Sequence, residues 1–156
     1  MKWGEQYDLP QPAQWWALVD NNKIISISGC HELDGKSLRT LFRSATLPQY
    51  QKLLPGISRN HMNSVPFSVL LPHQIQWGLD NGYTEFCITT NGEHDASGKM
   101  GRTHRALTLL SLRGVVEFSR QEVLYDLSQT VWRINLERYY QARSAVEPMI
   151  KKIIVD

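Results

Sequence analysis

Between Thr46 and Phe67 the chain reads TLPQYQKLLPGISRNHMNSVPF, a polar, turn-rich stretch lying between a strand-like run and a helix-like run. A strand-loop-helix junction of this kind suits a phosphate-bearing ligand, because the loop and first helical turn leave backbone N–H groups unpaired and aimed at one spot. Arg59 and His61 add side chains able to pair with phosphates there, and Gly56 is the single glycine of the stretch. Elsewhere the reactive residue types are scattered. His31, His61, His73, His94 and His104 have no metal-ligand spacing, and no nucleophilic triad is present. Cys30 and Cys87 lie inside apolar runs (IISISGC, EFCITT) with no second cysteine nearby, which reads as two small buried thiols in a reducing, cytoplasmic compartment.

The whole chain bounds what such a junction can belong to. Its 156 residues, 42% hydrophobic and 21% charged, predict a single domain over 1–156. A net charge of +2, from 17 basic and 15 acidic residues, is too balanced for a dedicated nucleic-acid surface. The opening MKWGEQYDLPQPAQWW has no apolar core of a signal peptide, and no run approaches the roughly 20 apolar residues of a membrane span, so a soluble, unsecreted protein is expected.

The elements that would position the junction follow from periodicity and turn signals. Gln14 to Asp20 and Lys23 to Leu33 are β-rich runs joined by Asn21-Asn22, a pair that tolerates the positive φ of a tight hairpin. Asp34-Gly35 then leads into SLRTLFRSATL, giving a three-stranded antiparallel meander. FSVLLPHQIQWGLDNG places Phe67, Leu71, Ile75 and Leu79 on one helical face, with Pro72 in the first turn or at a kink and Asn81-Gly82 as the stop. YTEFCITTN reads as a strand covered on both faces, so the crossover to it is predicted to be parallel. GRTHRALTLLSLRG reads as a second helix with Met100, Leu107 and Leu110 inward and Gly114 just past its end. VVEFSRQEVLY and QTVWRIN form a closing antiparallel pair, and a helical extension occupies about 136–156. Met149, Ile150, Ile153 and Ile154 make an apolar stripe on it that would want cover, in a homodimer or against its own domain.

In this order the elements resemble the later two-thirds of the GNAT superfamily, the acyl-CoA N-acyltransferases, over Trp15 to Asn135; the pattern is similar to GNAT-like proteins of marine phages. RTLFRSATLPQYQKLLPG resembles the family's fourth strand, its P-x-Y-R/Q turn and its pyrophosphate loop, with Gln51 at the Q/R position, Leu54 in place of the first glycine and Gly56 at the last. HQIQWGLDNGYTEFCITTN resembles the third helix and fifth strand, with Asn91 where the family often has a coenzyme-facing asparagine, and LLSLRGVVEF resembles the end of the fourth helix and its G-F turn. The resemblance implies an α/β (α+β) fold: a mixed, mostly antiparallel sheet with a splayed parallel central pair and helices on both faces. Two departures stand out. The tyrosine that many members use as acid to the departing thiolate is Leu110 here, and ISRNHMNSVP is an insertion. The family's first strand and its two following helices are absent or reduced to the opening dozen or so residues.

What the resemblance implies for chemistry is transfer of an acetyl group from acetyl-CoA, or another acyl-CoA, to an unknown primary amine by direct attack. Thr46 and Leu47 would offer a strand edge to the pantetheine amides. Gln51, Lys52, Leu54, Gly56, Arg59, Ser64 and Asn91 complete the coenzyme-binding set. A lysine-like amine, with a pKa of ~10.4, must lose a proton before it attacks. Glu32 and His31, ending the second strand beside the expected acyl site, are the candidate catalytic groups. No metal is expected. A GNAT fold that has lost catalysis and serves as a binding or assembly module is the alternative. A nucleic-acid accessory role through Arg39, Arg43, Arg59, Arg102 and Arg105 stands third, with steep salt dependence as its mark.

Overall fold

The computed structural model describes residues 13–50, 64–91, 101–124 and 126–148. Strands β1 (Ala13–Asp20), β2 (Lys23–Asp34) and β3 (Ser37–Thr46) form the expected meander. Asn21 and Asn22, at φ 44° and 60°, make the first turn. In the second, Asp34 Oδ1 accepts from the N–H groups of Lys36 (3.1 Å) and Ser37 (2.9 Å), the local bond that makes aspartate a turn residue. A short 3-10 turn, Pro48–Tyr50, follows β3.

A π-helical turn, Pro66–Leu70, runs directly into α1 (Leu71–Asp80), which carries Pro72 in its first turn; proline has no N–H to give the preceding turn's carbonyls, and side chains of Tyr139 and Arg143 donate to those of Phe67 and Ser68. Phe67, Leu71 and Ile75 are buried, whereas Leu79 is 45% exposed: a strict four-residue spacing drifts around a helix of about 3.6 residues per turn, and in the last turn Gly78 takes the inward place. Then come β4 (Glu85–Asn91), α2 (Arg102–Ser111), β5 (Val116–Leu124), β6 (Leu127–Ile134) and α3 (Leu136–Ser144). Gly114, at φ 69°, ends α2 in the left-handed conformation that glycine adopts without steric cost. Asn135 caps α3, its side-chain oxygen accepting from the Arg138 N–H at 3.0 Å.

The described strands form one six-stranded sheet in the order β1-β2-β3-β4-β6-β5. β3 and β4 pair in parallel, the predicted crossover, and the other neighbours are antiparallel. The protein is therefore a mixed α+β fold. Leu38 is in register with Phe86 and Ile88 with Trp132, so these side chains share one sheet face. They form a single core with Phe67, Leu71 and Ile75, with Leu107 and Leu110 of α2 and with Tyr139 of α3. Helices on both faces were expected; the described helices all pack on this one. The C-terminal extension is helical over α3, while the apolar stripe at 149–154 and the inward position of Met100 lie outside the described residues.

Cys30 and Cys87 are free, buried thiols, and burial pushes them up to about 12 and about 11, so both stay protonated. Gly78 is where α1 comes closest to the sheet. A Cβ built there would lie 2.9 Å from Leu38 Cδ2 and would overlap the Phe86 ring. Gly78→Ala is expected to destabilise the domain by about 1–3 kcal/mol through overpacking, read as a lower urea midpoint at unchanged slope.

Candidate functional site: a wedge between two parallel strands

β3 and β4 run side by side for only three registered pairs, Ser37 with Glu85, Leu38 with Phe86 and Arg39 with Cys87. Both strands continue well past that point, to Thr46 and Asn91, but apart. The cause lies on the other side of β3. Between His31 and Gly29 of β2 the partner strand advances from Arg39 to Phe42, and between Gly29 and Ile27 it advances from Phe42 to Ala45. Each step sets one extra β3 residue against β2, a pair of successive β-bulges that bend β3 away from β4. Leu41 and Arg43, at φ 56° and 48°, sit in these bulges in a conformation that costs roughly 1–2 kcal/mol for a residue with a Cβ.

A ring of hydrogen bonds holds the first bulge. The Leu41 N–H donates to Gln74 Oε1 (2.8 Å), and Gln74 Nε2 donates to Ser28 Oγ (2.9 Å). Ser28 Oγ lies 2.6 Å from Ser44 Oγ, which donates to the Leu41 carbonyl (2.9 Å). Both backbone groups of Leu41 are thus satisfied by side chains and withdrawn from the sheet ladder. Gln74 and Ser28 are fully buried, where an unmet polar group is costly. At the fork itself, Thr40 Oγ1 donates to the Cys87 carbonyl at 3.0 Å, a β4 group bonded here by a side chain of β3.

The wedge holds a cavity of about 620 Å³. Its walls are the bulged part of β3 from Arg39 to Thr46, the end of β4 from Ile88 to Asn91, the approach to the first helix from Ser64 to Phe67, and Gly101 to His104 at the start of α2. Ile88, Thr89 and Thr90 all line it. Successive strand residues point to opposite faces, so the gap is bordered by residues belonging to both faces of the sheet. Arg39, Arg43 and Arg102 contribute three cations, and no Asp or Glu occurs among the described lining residues. Gly101 gives α2 no side-chain cap, so the first N–H groups and the positive end of that helix face this region. The hydroxyls of Ser64 and Thr89 are buried with no hydrogen-bond partner among the described residues. The π-helical wall is clamped from behind: Tyr139 O–H donates to the Phe67 carbonyl (2.6 Å) and Arg143 Nε to that of Ser68 (3.2 Å).

Of the residues singled out in the sequence, Thr46, Ser64 and Asn91 line the cavity. Leu47 does not; its N–H is committed to the Ile25 carbonyl at 2.9 Å, closing the β2–β3 ladder, so the strand edge available to a ligand begins before it. Gln51, Lys52, Leu54, Gly56, Arg59 and His61 lie outside the described residues. His31 and Glu32 are not brought to the cavity. Glu32 accepts from the Tyr83 hydroxyl (2.9 Å), a bond between β2 and the start of the β4 segment. His31 is 2% exposed and stacks edge-on against Phe42; its Nδ1–H donates to the Glu32 carbonyl at 2.6 Å. Burial, aided by the charge of Arg39 and opposed by that carbonyl, holds His31 below the usual imidazole range. Sequence reasoning passed over His104 and Thr90, which only their packing joins, and took Arg39, Arg43 and Arg102 for a different role.

Among the described residues no group of His, Cys, Asp and Glu is arranged to hold a metal, and no helix is long and apolar enough to cross a membrane. Fold and site together describe a mixed-sheet α+β protein with an arginine-lined cavity in a split parallel pair. A scan against models of known protein families finds no match, and a search of curated proteins finds no similar sequence.

Two outcomes test this geometry. Gln74→Leu removes the hub of the ring and is expected to cost about 1–3 kcal/mol while accelerating amide exchange at Leu41. For His31, the folded value lies below the unfolded 6.5, so the unfolded chain binds more protons as pH falls below 6.5. Stability should therefore be full at pH 7.5 and decline on acidification through that window, and His31→Gln should flatten the decline in urea midpoints.

Proposed function

We propose that the wedge binds an acyl-CoA and that the protein is a GNAT-like N-acyltransferase. The observation that carries this reading is the parallel pair forced apart by bulges, with a cavity in the gap lined by three arginines and, among the described residues, by no carboxylate. A split strand pair offers backbone groups to an extended amide chain such as pantetheine, which adds to the sheet as a strand would. The guanidiniums of Arg43 and Arg102 and the uncapped start of α2 suit the phosphates. A gap bordered by residues of both sheet faces lets a thioester seated from one face be reached by an amine from the other. A mixed, mostly antiparallel sheet with one parallel pair, β3 with β4, supports this reading at the level of the fold class.

Leu110 favours a second reading. It is 2% exposed within the core, so its position offers neither a proton nor room for a substituted acid. Together with the lack of a carboxylate among the described lining residues, this supports a module that binds acyl-CoA without transferring the acyl group. Titration of the full chain with acetyl-CoA tests the shared premise. Saturation at a hundredfold excess over Kd is expected to stabilise the fold by about 2.7 kcal/mol, read as a rise in Tm, and Arg102→Ala is expected to weaken binding roughly tenfold. Thiol release with a panel of amines supports the enzyme; binding with no release supports the module; no binding overturns both.

A further inference from the structure

One wall of the wedge contains a hydrogen-bond chain that nothing above uses. Trp132 Nε1 donates to Thr90 Oγ1 at 2.9 Å, and Thr90 Oγ1 lies 2.9 Å from His104 Nδ1. The His104 ring also meets the Trp132 indole edge to face, with centroids 5.4 Å apart. Thr90 and Trp132 are both 6% exposed, whereas His104 lines the cavity. The two contacts fix both the plane and the rotation of the imidazole.

The chain has a direction. An indole N–H can only donate, so the Thr90 oxygen receives that proton, and with His104 as its one other partner among the described residues, donation toward His104 is the arrangement that gives the buried Thr90 hydroxyl proton an acceptor. The acceptor 2.9 Å away is Nδ1. Donation from Thr90 to Nδ1 makes the ring the neutral tautomer with its proton on Nε2, the nitrogen that has no partner among the described residues. We propose that His104 is a ligand-binding residue that presents a fixed Nε2–H donor to a carbonyl oxygen of the ligand. It is not the base that deprotonates an amine, because in this tautomer the nitrogen left for the ligand already carries its proton. Histidine in this position reads the uncharged arm of the ligand, complementing the guanidiniums that suit its anionic end. The assignment rests on the wedge being an acyl-CoA site.

Histidine nitrogen NMR on the full chain, with coenzyme A, acetyl-CoA and adenosine bisphosphate as probes, tests it. In the free protein His104 is expected to carry its proton on Nε2, and Thr90→Val to abolish that preference while Thr90→Ser keeps it. The Nε2 resonance should move with coenzyme A if the acceptor is a pantetheine amide, or with acetyl-CoA alone if it is the thioester carbonyl. His104→Ala should weaken acetyl-CoA binding roughly tenfold and leave adenosine bisphosphate unaffected. If neither coenzyme A nor acetyl-CoA binds the wild-type chain, the acyl-CoA reading of the wedge falls and this assignment with it. If they bind while Nδ1 carries the proton, while Nε2 stays unmoved, or while adenosine bisphosphate moves it as far, the acyl-CoA reading stands and the assignment to His104 is overturned.

Discussion

The backbone of Leu41 is where this structure departs from a regular sheet, and the ring through Gln74, Ser28 and Ser44 makes the departure stable. Without those side chains, the N–H and carbonyl of Leu41 would seek partners in a neighbouring strand, and β3 would lie straight between β2 and β4. With them, the parallel pairing ends at Arg39 and Cys87 and the two strands diverge. The left-handed conformations of Leu41 and Arg43 are a local cost that the buried hydrogen bonds offset. The cavity follows from a backbone constraint, and its lining follows from which residues happen to flank the gap.

The helices support that gap from one side. α1 brings Gln74 to the bulge and is held close to the sheet by Gly78, whose missing Cβ leaves room for Leu38 and Phe86. α3 contributes Tyr139 and Arg143 to carbonyls of the π-helical turn, so the segment entering α1 is fixed by elements distant in sequence. Burial pushes the Tyr139 phenol upward, which keeps it a donor. α2 contributes its uncapped start and His104. Each helix thus places polar contacts in or behind the wedge in addition to its share of the core.

Charge in the wedge and polarity at its edges are the two features on which the proposed ligand rests. Three arginines, with no carboxylate among the described lining residues, suit an anion, while the Thr90–His104–Trp132 chain, the Thr89 hydroxyl and the split strand edges suit neutral amide and carbonyl groups. A molecule with phosphates at one end and an amide-bearing arm at the other combines the two. That combination, more than any single residue, is why an acyl-CoA is the ligand proposed.

Local pattern determined much of this. Asn21-Asn22 and Asp34-Gly35 specify their turns through φ and an Asx bond, the four-residue spacing of Phe67, Leu71 and Ile75 specifies a helix, and an apolar strand after that helix specifies a parallel return. Thr46, Ser64 and Asn91, which the resemblance placed in the coenzyme-binding set, line the cavity. Tertiary structure alone decided the rest. His31 and Glu32 look reactive in a row of letters, yet one is buried against Phe42 and the other bonds Tyr83. Gln74 looks like any polar residue on a helix and turns out to be buried because a bulge two elements away needs its amide. Thr90, His104 and Trp132 lie far apart along the chain and have no shared motif. Their contact arises because β4 and β6 pair while α2 crosses above them, and sequence spacing carries no record of a hydrogen bond made across the sheet.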